Sequence, residues 1–438
     1  PVPATILLPA PTRSVRSRVE NLRFWPQSEP QAFNLELFMV KKPELLAPAG
    51  DWTALHAAIQ NGADAVYFGV DALNMRVMAD NFAVDDVPKV RALCREHGAR
   101  NYLTLNVIVY DSELDQAAAI IAAVKGEVDA VICWDPAVIA LCREHGVPFH
   151  VSTQASVSNA RSAAYYRDLG ARRINLAREC SLDEIRHIRE TARVEVETFV
   201  HGAMCVSVSG RCFLSQFADG KSANRGECLQ HCRREYRVVD PSDPEIELDI
   251  GDRYVMSAKD LCALPFLDRL IAAGVDAFKI EGRGKSPHYV ATVTRCYREA
   301  LDAAAAGRLD ERMKSRLVEE LKTVFNRGFC EGFYFGRPVA EFTDSAGSQA
   351  TVEKVFVGFV TNYFRKAAVA EIDVRDQAFR VGDELLIEGG ATGAVTFEVT
   401  EIRQAEAVVD EPRRGMATVA CPVKVRVNNK VYRLRGHE

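Results

Sequence analysis

Residues 201–232 read HGAMCVSVSGRCFLSQFADGKSANRGECLQHC, with Cys205, Cys212, Cys228 and Cys232 separated by six, fifteen and three residues. A third of the chain's 12 cysteines stand in this one stretch. Thiols grouped this way can form disulfides, hold a structural zinc, or hold an iron–sulfur cluster. Disulfides fit poorly. The chain starts without the basic stretch, apolar core and small-residue cleavage site of an export signal, so a cytoplasmic location with reduced thiols is expected. Structural zinc usually sits in tight CxxC knuckles, and this stretch has none. The wider spacing leaves room for ligands wrapped around a larger object, with zinc and metal-free thiols as the alternatives. A helix over 228–232 would place its two thiols on one face, a turn apart, while VSVSGR is expected to fold back as a loop. The other eight, Cys94, Cys133, Cys142, Cys180, Cys262, Cys296, Cys330 and Cys421, stand in apolar or helical settings and read as small buried hydrophobes. Cys262 is the nearest of them in sequence to the long insertion that carries the four.

These ligands need elements to position them. From residue 44 onward short apolar runs alternate with longer amphipathic segments. Eight strands are expected, at 44–48, 65–69, 102–109, 130–134, 149–153, 173–177, 194–200 and 277–281. Phrases such as NGADAVYFG (61–69) and AGVDAFKIEG (273–282) run into β-branched apolar stretches typical of buried parallel strands. Helical patterns lie between them, among them SLDEIRHIRETA (181–192), where Ser181 and Glu184 are spaced as a capping box. LCREHG occurs twice, at 93–98 and 141–146, each time as a helix end before a strand. The expected fold class is therefore α/β, a (β/α)8 TIM-like barrel. The rhythm breaks once. Seventy-six residues separate the seventh and eighth strands, and this cysteine-rich insertion (about 201–275) leaves the C-terminal face of the barrel, where active sites are built.

Three domain-level regions follow. Residues 1–38 carry six prolines and no hydrophobic period, and read as an irregular extension. Met39 stands just before the first convincing strand, so a translation start there is the simplest account. Residues 39–340 form the barrel with its insertion, and 350–438, with short strands and GD and EGG turns, form a small C-terminal antiparallel β-barrel domain. With 55 Lys and Arg against 60 Asp and Glu, net −5, the chain has no global attraction for nucleic acid. Its last 28 residues, however, hold seven Lys/Arg against two Glu. No apolar run is long enough to cross a bilayer, so no membrane role is expected.

Several motifs are absent. No GxGxxG or P-loop follows any strand, and neither HExxH nor GxSxG occurs, which argues against dinucleotide and NTP sites and against metallo- or serine-peptidase chemistry. Polar residues near strand ends instead face the expected pocket. Asn106 lies in strand three, Asp135 ends strand four and Gln154 ends strand five. Arg178 and Glu179 follow strand six, His201 follows strand seven, and Glu281, Arg283 and Lys285 follow strand eight. His201, Gln154, Asp135 and Glu281 are the candidate catalytic groups, and Asn106, Arg178, Glu179, Arg283 and Lys285 the candidate substrate-binding groups. Arg178, Arg283 and Lys285 suit an anionic ligand. The alternative is ion pairing of Arg178 or Arg283 with Glu179 or Glu281.

The stretches ETFVHGAMCVSVSGRCFLS (197–215) and NRGECLQHCRREY (224–236) resemble the signature of the collagenase-like peptidase family. PELLAPAG (43–50), VSTQASV (151–157), LARECSLDEI (176–185) and KIEGRGKSPHYV (279–290) extend the resemblance over roughly residues 40–340. The length, the C-terminal domain and the CxxxC pair are most similar to the branch of that family that hydroxylates tRNA. That resemblance implies 5-hydroxyuridine formation at the wobble position, a [4Fe–4S] cluster on Cys205, Cys212, Cys228 and Cys232, and prephenate in place of O2. Arg233, Arg234 and Arg237, with the basic C-terminal strands, would then hold the phosphates of the tRNA anticodon arm. Peptidase activity, hydroxylation of ribosomal RNA or of a ubiquinone precursor, and a non-catalytic RNA-binding or chaperone-like module are the alternatives.

Overall fold

The computed structural model describes residues 42–437 except 78, 237–238, 241, 248–253, 255, 340, 346 and 406. The proline-rich extension therefore lies outside the described residues. Within 40–438 the chain is one compact unit. Seven strands alternate with helices: β1 (Glu44–Pro48), α1 (Trp52–Gln60), β2 (Ala65–Gly69), α2 (Val87–Glu96), β3 (Arg100–Leu105), α3 (Leu114–Val124), β4 (Ala130–Cys133), α4 (Pro136–His145), β5 (Phe149–Val151), α5 (Ala160–Asp168), β6 (Arg173–Asn175), α6 (Leu182–Ala192) and β7 (Glu195–Ala203). The cysteine loop follows, with α7 (Leu214–Asp219), a short hairpin of β8 (Val239–Asp240) and β9 (Asp243–Glu247), β10 (Asp260–Cys262) and α8 (Leu267–Ala272). The eighth barrel strand is β11 (Ala277–Ile280), then come α9 (Pro287–Ala305), α10 (Glu311–Leu321) and β12 (Phe329–Cys330).

Sequential parallel pairing runs from β1 to β7. β11 pairs in parallel with both β7 (Ala277 with Glu197) and β1 (Glu44 with Ala277), which closes the barrel. The strands are apolar because both faces are covered; every residue of AVYFG in β2 and AVIC in β4 is buried. The helices begin at caps the sequence supplies. Asp51 accepts the Ala54 N–H at 2.6 Å, Asn159 that of Ser162 at 2.8 Å, and Ser181 forms the expected capping box with Glu184.

The interior departs from the apolar layers common in such barrels. Arg173 of β6 reaches Glu44 of β1, Glu195 at 3.0 Å and Glu197 at 3.5 Å, and Lys279 of β11 pairs with Glu197 at 2.9 Å. Two cations meet carboxylates from two strands, β1 and β7, so these buried charges are compensated along the barrel axis. At the N-terminal face a cavity of about 460 Å³ is lined by Arg100, Tyr102, Asp129, His150, Arg172, Arg173 and Glu195. It lies at the opposite end from the cysteine loop.

Strand boundaries differ from expectation at several ends, β6 for one stopping at Asn175, and three of the differences have a visible cause. β3 stops at Leu105 because Asn106 turns away, its Oδ1 accepting the Met75 N–H at 3.1 Å and its carbonyl accepting the Trp134 indole N–H at 2.9 Å. β5 stops at Val151, where Thr153–Ala155 tightens into a 3₁₀ turn. β7 overruns the barrel to Ala203, because β10 pairs antiparallel with its end (Cys262 with His201, Asp260 with Ala203).

The C-terminal region is an eight-stranded antiparallel sheet: β13 (Val352–Phe364), β14 (Val369–Val374), β15 (Glu384–Gly389), β16 (Gly393–Glu398), β17 (Ile402–Gln404), β18 (Ala407–Val409), β19 (Gly415–Ala420) and β20 (Lys430–Gly436). Their order is β16-β15-β20-β13-β14-β19-β17-β18, around a core that includes Val357, Ile372, Phe379, Leu385 and Val431. Among the described residues no pairing joins the outer strands β16 and β18, so hydrogen bonds do not close this sheet into a barrel. It packs on α1 and α9 through β16. Among the described residues no helix is long and apolar enough to cross a membrane.

Candidate active site

The C-terminal ends of the strands carry a ring of charge. Glu281, just past β11, extends the ladder by donating its N–H to the His201 carbonyl at 2.9 Å. Its carboxylate pairs with Arg76, from the loop after β2, at 2.9 Å. Burial would raise the Glu281 pKa, but Arg76, Arg178 and Lys285 together hold it below the usual carboxylate range. Gly202 lies opposite at φ +104°, and a Cβ there would stand 2.7 Å from the Glu281 carbonyl oxygen. Only glycine lets β7 and β11 approach this closely.

Arg283 is buried, and Nη1 donates to Asn74 Oδ1 at 3.2 Å and Thr104 Oγ1 at 2.9 Å. Both partners are neutral, and among the described residues no carboxylate forms an ion pair with it. Burial pulls its pKa down to about 10. Gly69 makes this seat, since a Cβ there would lie 2.4 Å from Arg283 Nη1. Lys285 rests over the Phe325 ring, its Nζ 3.0 Å from the centroid. Burial brings its pKa down to about 8 despite the nearby Glu281. Arg178 lies over Phe199 at 4.1 Å. Beside it Glu179 accepts the Ser209 N–H at 3.4 Å with one oxygen, and its other oxygen is buried without a partner. Neither Arg178 nor Arg283 is ion-paired with Glu179 or Glu281 among the described residues, so the ion-pair alternative does not hold.

His201 lies inside β7, not after it, 1% exposed among Tyr289, Tyr297 and Phe329. Burial, then Lys285, lowers its pKa to about 3, so the ring is neutral. The Tyr297 hydroxyl donates to the Val200 carbonyl at 2.7 Å, so at 3.5 Å from His201 Nδ1 it is placed to accept an Nδ1–H. Gln154 shares a short hydrogen bond with Ser152, which Asn106 Nδ2 reaches at 3.5 Å. Asp135, expected to be catalytic, is a helix cap. Its two oxygens accept the N–H groups of Ala137 (2.9 Å) and Val109 (3.1 Å). Arg233, expected to hold phosphate, donates to the carbonyls of Met204 and Ala258 and to Ser257 Oγ at 3.2 Å, which pins the cysteine loop to the strand region below it. Arg234 is exposed beside it, and Arg237 lies outside the described residues. Sequence reasoning missed Arg76, Asn74 and Thr104, and also Asp260 and Arg327, an ion pair at 3.4 Å on the loop side of the mouth. The position of Asn74 and Arg76 just after a barrel strand was the available signal.

The cysteine loop closes over this ring. Cys205 follows β7 by two residues, and its sulfur accepts the Ser207 N–H at 3.4 Å. Cys212 accepts the Leu214 N–H at 3.3 Å. Ser209 Oγ shares a 2.8 Å hydrogen bond with Ser156 Oγ, which ties VSVSGR back to the barrel as expected. Cys228 and Cys232 are not on one α-helix. Gln230 sits at φ +56°, and only a 3₁₀ turn, His231–Arg233, follows. Burial raises the Cys232 pKa, and the proximity of Cys205, Cys228 and Cys212 adds to the rise against the opposing Arg233, so the four thiols share one electrostatic neighbourhood. Among the described residues no group of three or more His, Cys, Asp or Glu side chains could hold a metal ion. The eight remaining cysteines are all buried, as expected.

The family profile described as Peptidase family U32 matches residues 50–344, the barrel and its cysteine loop. The chain belongs to peptidase family U32. This U32 chain is 42% identical to a protein named collagenase from Porphyromonas gingivalis, over 90% of this chain and 98% of that one. It is 34% identical to tRNA hydroxylation protein P1 of Bacillus subtilis (90% and 94%) and 32% identical to tRNA hydroxylation protein P of Escherichia coli (87% and 94%).

Proposed function

We propose that this U32 protein is a tRNA-modifying enzyme. It converts the wobble uridine in the anticodon arm to 5-hydroxyuridine, without O2 and with prephenate as cosubstrate, in the cytoplasm where tRNA is found. The observation that carries this reading is Arg283, a buried guanidinium that among the described residues is hydrogen-bonded only to neutral Asn74 and Thr104, at the mouth the four thiols cover. A buried cation without a counterion is costly unless a ligand supplies one. Prephenate is a dicarboxylate, and Arg283, Arg178 and Lys285 offer it charge-assisted hydrogen bonds.

The donor set suits a [4Fe–4S] cluster on Cys205, Cys212, Cys228 and Cys232. Four thiols share one loop, two of them already accept backbone N–H bonds, and thiolates spaced for a cluster need not converge as a single ion requires. When bound, such a cluster supplies redox or Lewis-acid chemistry at the mouth. The chain's own groups do the rest. Arg76 keeps Glu281 ionised, neutral His201 can present only a hydrogen-bond donor or acceptor and no charge, and Gln154 and Asn106 offer amides to a flipped-out base.

A peptidase reading is favoured by the relative named collagenase. The Cys–His pair that β10 and β7 bring into register is Cys262 with His201. Burial pushes the Cys262 thiol up to about 11 and His201 down to about 3, so the thiol is not activated and the base is weak. Anaerobic purification is expected to give a brown protein absorbing near 400 nm with about four irons per chain. Nucleoside mass spectrometry of tRNA from a strain lacking the gene is expected to show loss of 5-hydroxyuridine. A colourless one-zinc protein, or collagen cleavage by the metal-free chain, would overturn the reading.

A further inference from the structure

The cysteine loop leaves a collar of apolar side chains in solvent. Val206 follows Cys205, Phe213 and Leu214 follow Cys212, and Leu229 follows Cys228; all four are exposed. Phe217, one turn along α7, is 87% exposed, and its ring lies 6.0 Å from that of Phe213, itself 61% exposed. Apolar surface gathered this way beside a site marks a binding face.

Charge selects the occupant. Residues 201–236 hold five Arg/Lys (Arg211, Lys221, Arg225, Arg233, Arg234) against three Asp/Glu (Asp219, Glu227, Glu235), on a chain whose net charge is −5. Arg211 and Arg234 are exposed, Arg211 donating to Ser156 Oγ at 3.0 Å, while Arg225, ion-paired with Glu113, lies over the exposed Tyr110 ring at 5.2 Å and holds it at the loop. Exposed rings interleaved with guanidinium groups are the pattern that stacks unpaired nucleobases, every one of which has a π-face, while the cations meet phosphate. A second copy of this chain, also carrying a positive loop, would set like charges against each other.

We infer that Phe213 and Phe217 form a stacking platform for the unpaired bases flanking the target nucleotide, an inference that rests on the RNA reading above. Flipping one base into the mouth deprives its neighbours of a stacking partner. A ring presented at the rim restores that partner. The Phe pair thus holds the loop of the RNA open, and the exposed cations fix its backbone.

The test uses the whole chain, purified anaerobically, and a stem-loop RNA carrying 2-aminopurine next to the target uridine. Binding of the native protein is expected to quench the 2-aminopurine. Phe217→Ala is expected to weaken RNA affinity about tenfold and reduce the quench, with Phe217→Trp restoring both. The slope of affinity against salt should stay unchanged, because no phosphate contact is removed. Both side chains face solvent, and unchanged iron content and circular dichroism confirm that the variants are folded. If Phe217→Ala binds and quenches like the native protein, the platform is wrong and the RNA reading survives. Should the native protein itself fail to bind the RNA at low salt, both fall together. A Phe217→Ala effect confined to self-association in sedimentation assigns the patch to a second copy and overturns the inference.

Discussion

At the scale of single residues, the mouth works through charges held away from their usual equilibria. Lys285 has its pKa pulled down to about 8 by burial, against an ordinary value of about 10.4. Below about pH 8 the lysine is charged in both folded and unfolded chains, and burial of that charge opposes folding in full. Between about 8 and 10.4 the folded lysine is already neutral while the unfolded one still binds a proton, so stability rises with pH across that window. Binding of the proposed anionic cosubstrate is expected to move the other way, losing up to about tenfold per pH unit as Lys285 deprotonates. Lys285→Met is expected to flatten the stability rise, and Lys285→Arg to remove the alkaline loss of cosubstrate affinity. Urea midpoints and cosubstrate titrations from pH 7 to 10 measure both; unchanged slopes would show that Lys285 does not titrate there.

At the scale of elements, what was legible depended on how local the cause was. The eight strands could be read because each is a short apolar run with its own helix beside it, and caps such as Ser181–Glu184 lie within four residues. The antiparallel addition of β10 to the end of β7 could not be read, since the three residues of β10 show no period and their partner stands about 60 residues earlier. His201 was therefore expected beyond a strand that in fact contains it. The compensated interior charges Arg173, Glu197 and Lys279 were hidden for the same reason, each needing a partner from a distant strand. The helix expected over Cys228–Cys232 failed on the left-handed Gln230, a conformation no local pattern announces. Arg178, Arg283, Glu281 and Lys285 were found because a barrel puts the residues after its strands at one mouth; Asp135 was misread because a cap occupies the same position. The β7 overrun also makes a prediction. Gly202→Ala combines a φ of +104° with a Cβ 2.7 Å from the Glu281 carbonyl, and is expected to cost about 1–3 kcal/mol. Urea denaturation measures the loss, and a variant as stable as the native chain would mean that β7 and β11 can separate freely.

At the scale of the whole molecule, the C-terminal sheet is fastened to the barrel at the end of the helix that follows the active-site strand. Glu388 of β15 accepts the N–H of His288, the second residue of α9, at 3.1 Å, and pairs with Lys354 of β13 at 2.7 Å. A carboxylate at the N-terminus of a 19-residue helix meets unpaired N–H groups and the positive end of the helix dipole. His288, buried, has its pKa lowered to about 4 by burial and by Lys354, so it stays neutral and leaves the negative charge of Glu388 to the helix end and the lysine. The same α9 begins six residues past Glu281, and its buried Tyr289 hydroxyl donates to the Glu281 carbonyl at 3.0 Å, so the helix held by Glu388 at its start also touches the mouth. Removing the carboxylate leaves Lys354 and the His288 N–H without their partner. Glu388→Ala is expected to destabilise the junction by about 1–3 kcal/mol and to split a single calorimetric transition into two, the sheet melting apart from the barrel. Glu388→Gln keeps an acceptor oxygen without the charge, and is expected to preserve one transition at a lower midpoint. If Glu388→Ala melts in one step at the native temperature, the sheet is held by the apolar packing of β16 on α1 and α9, and this carboxylate contributes nothing to the union.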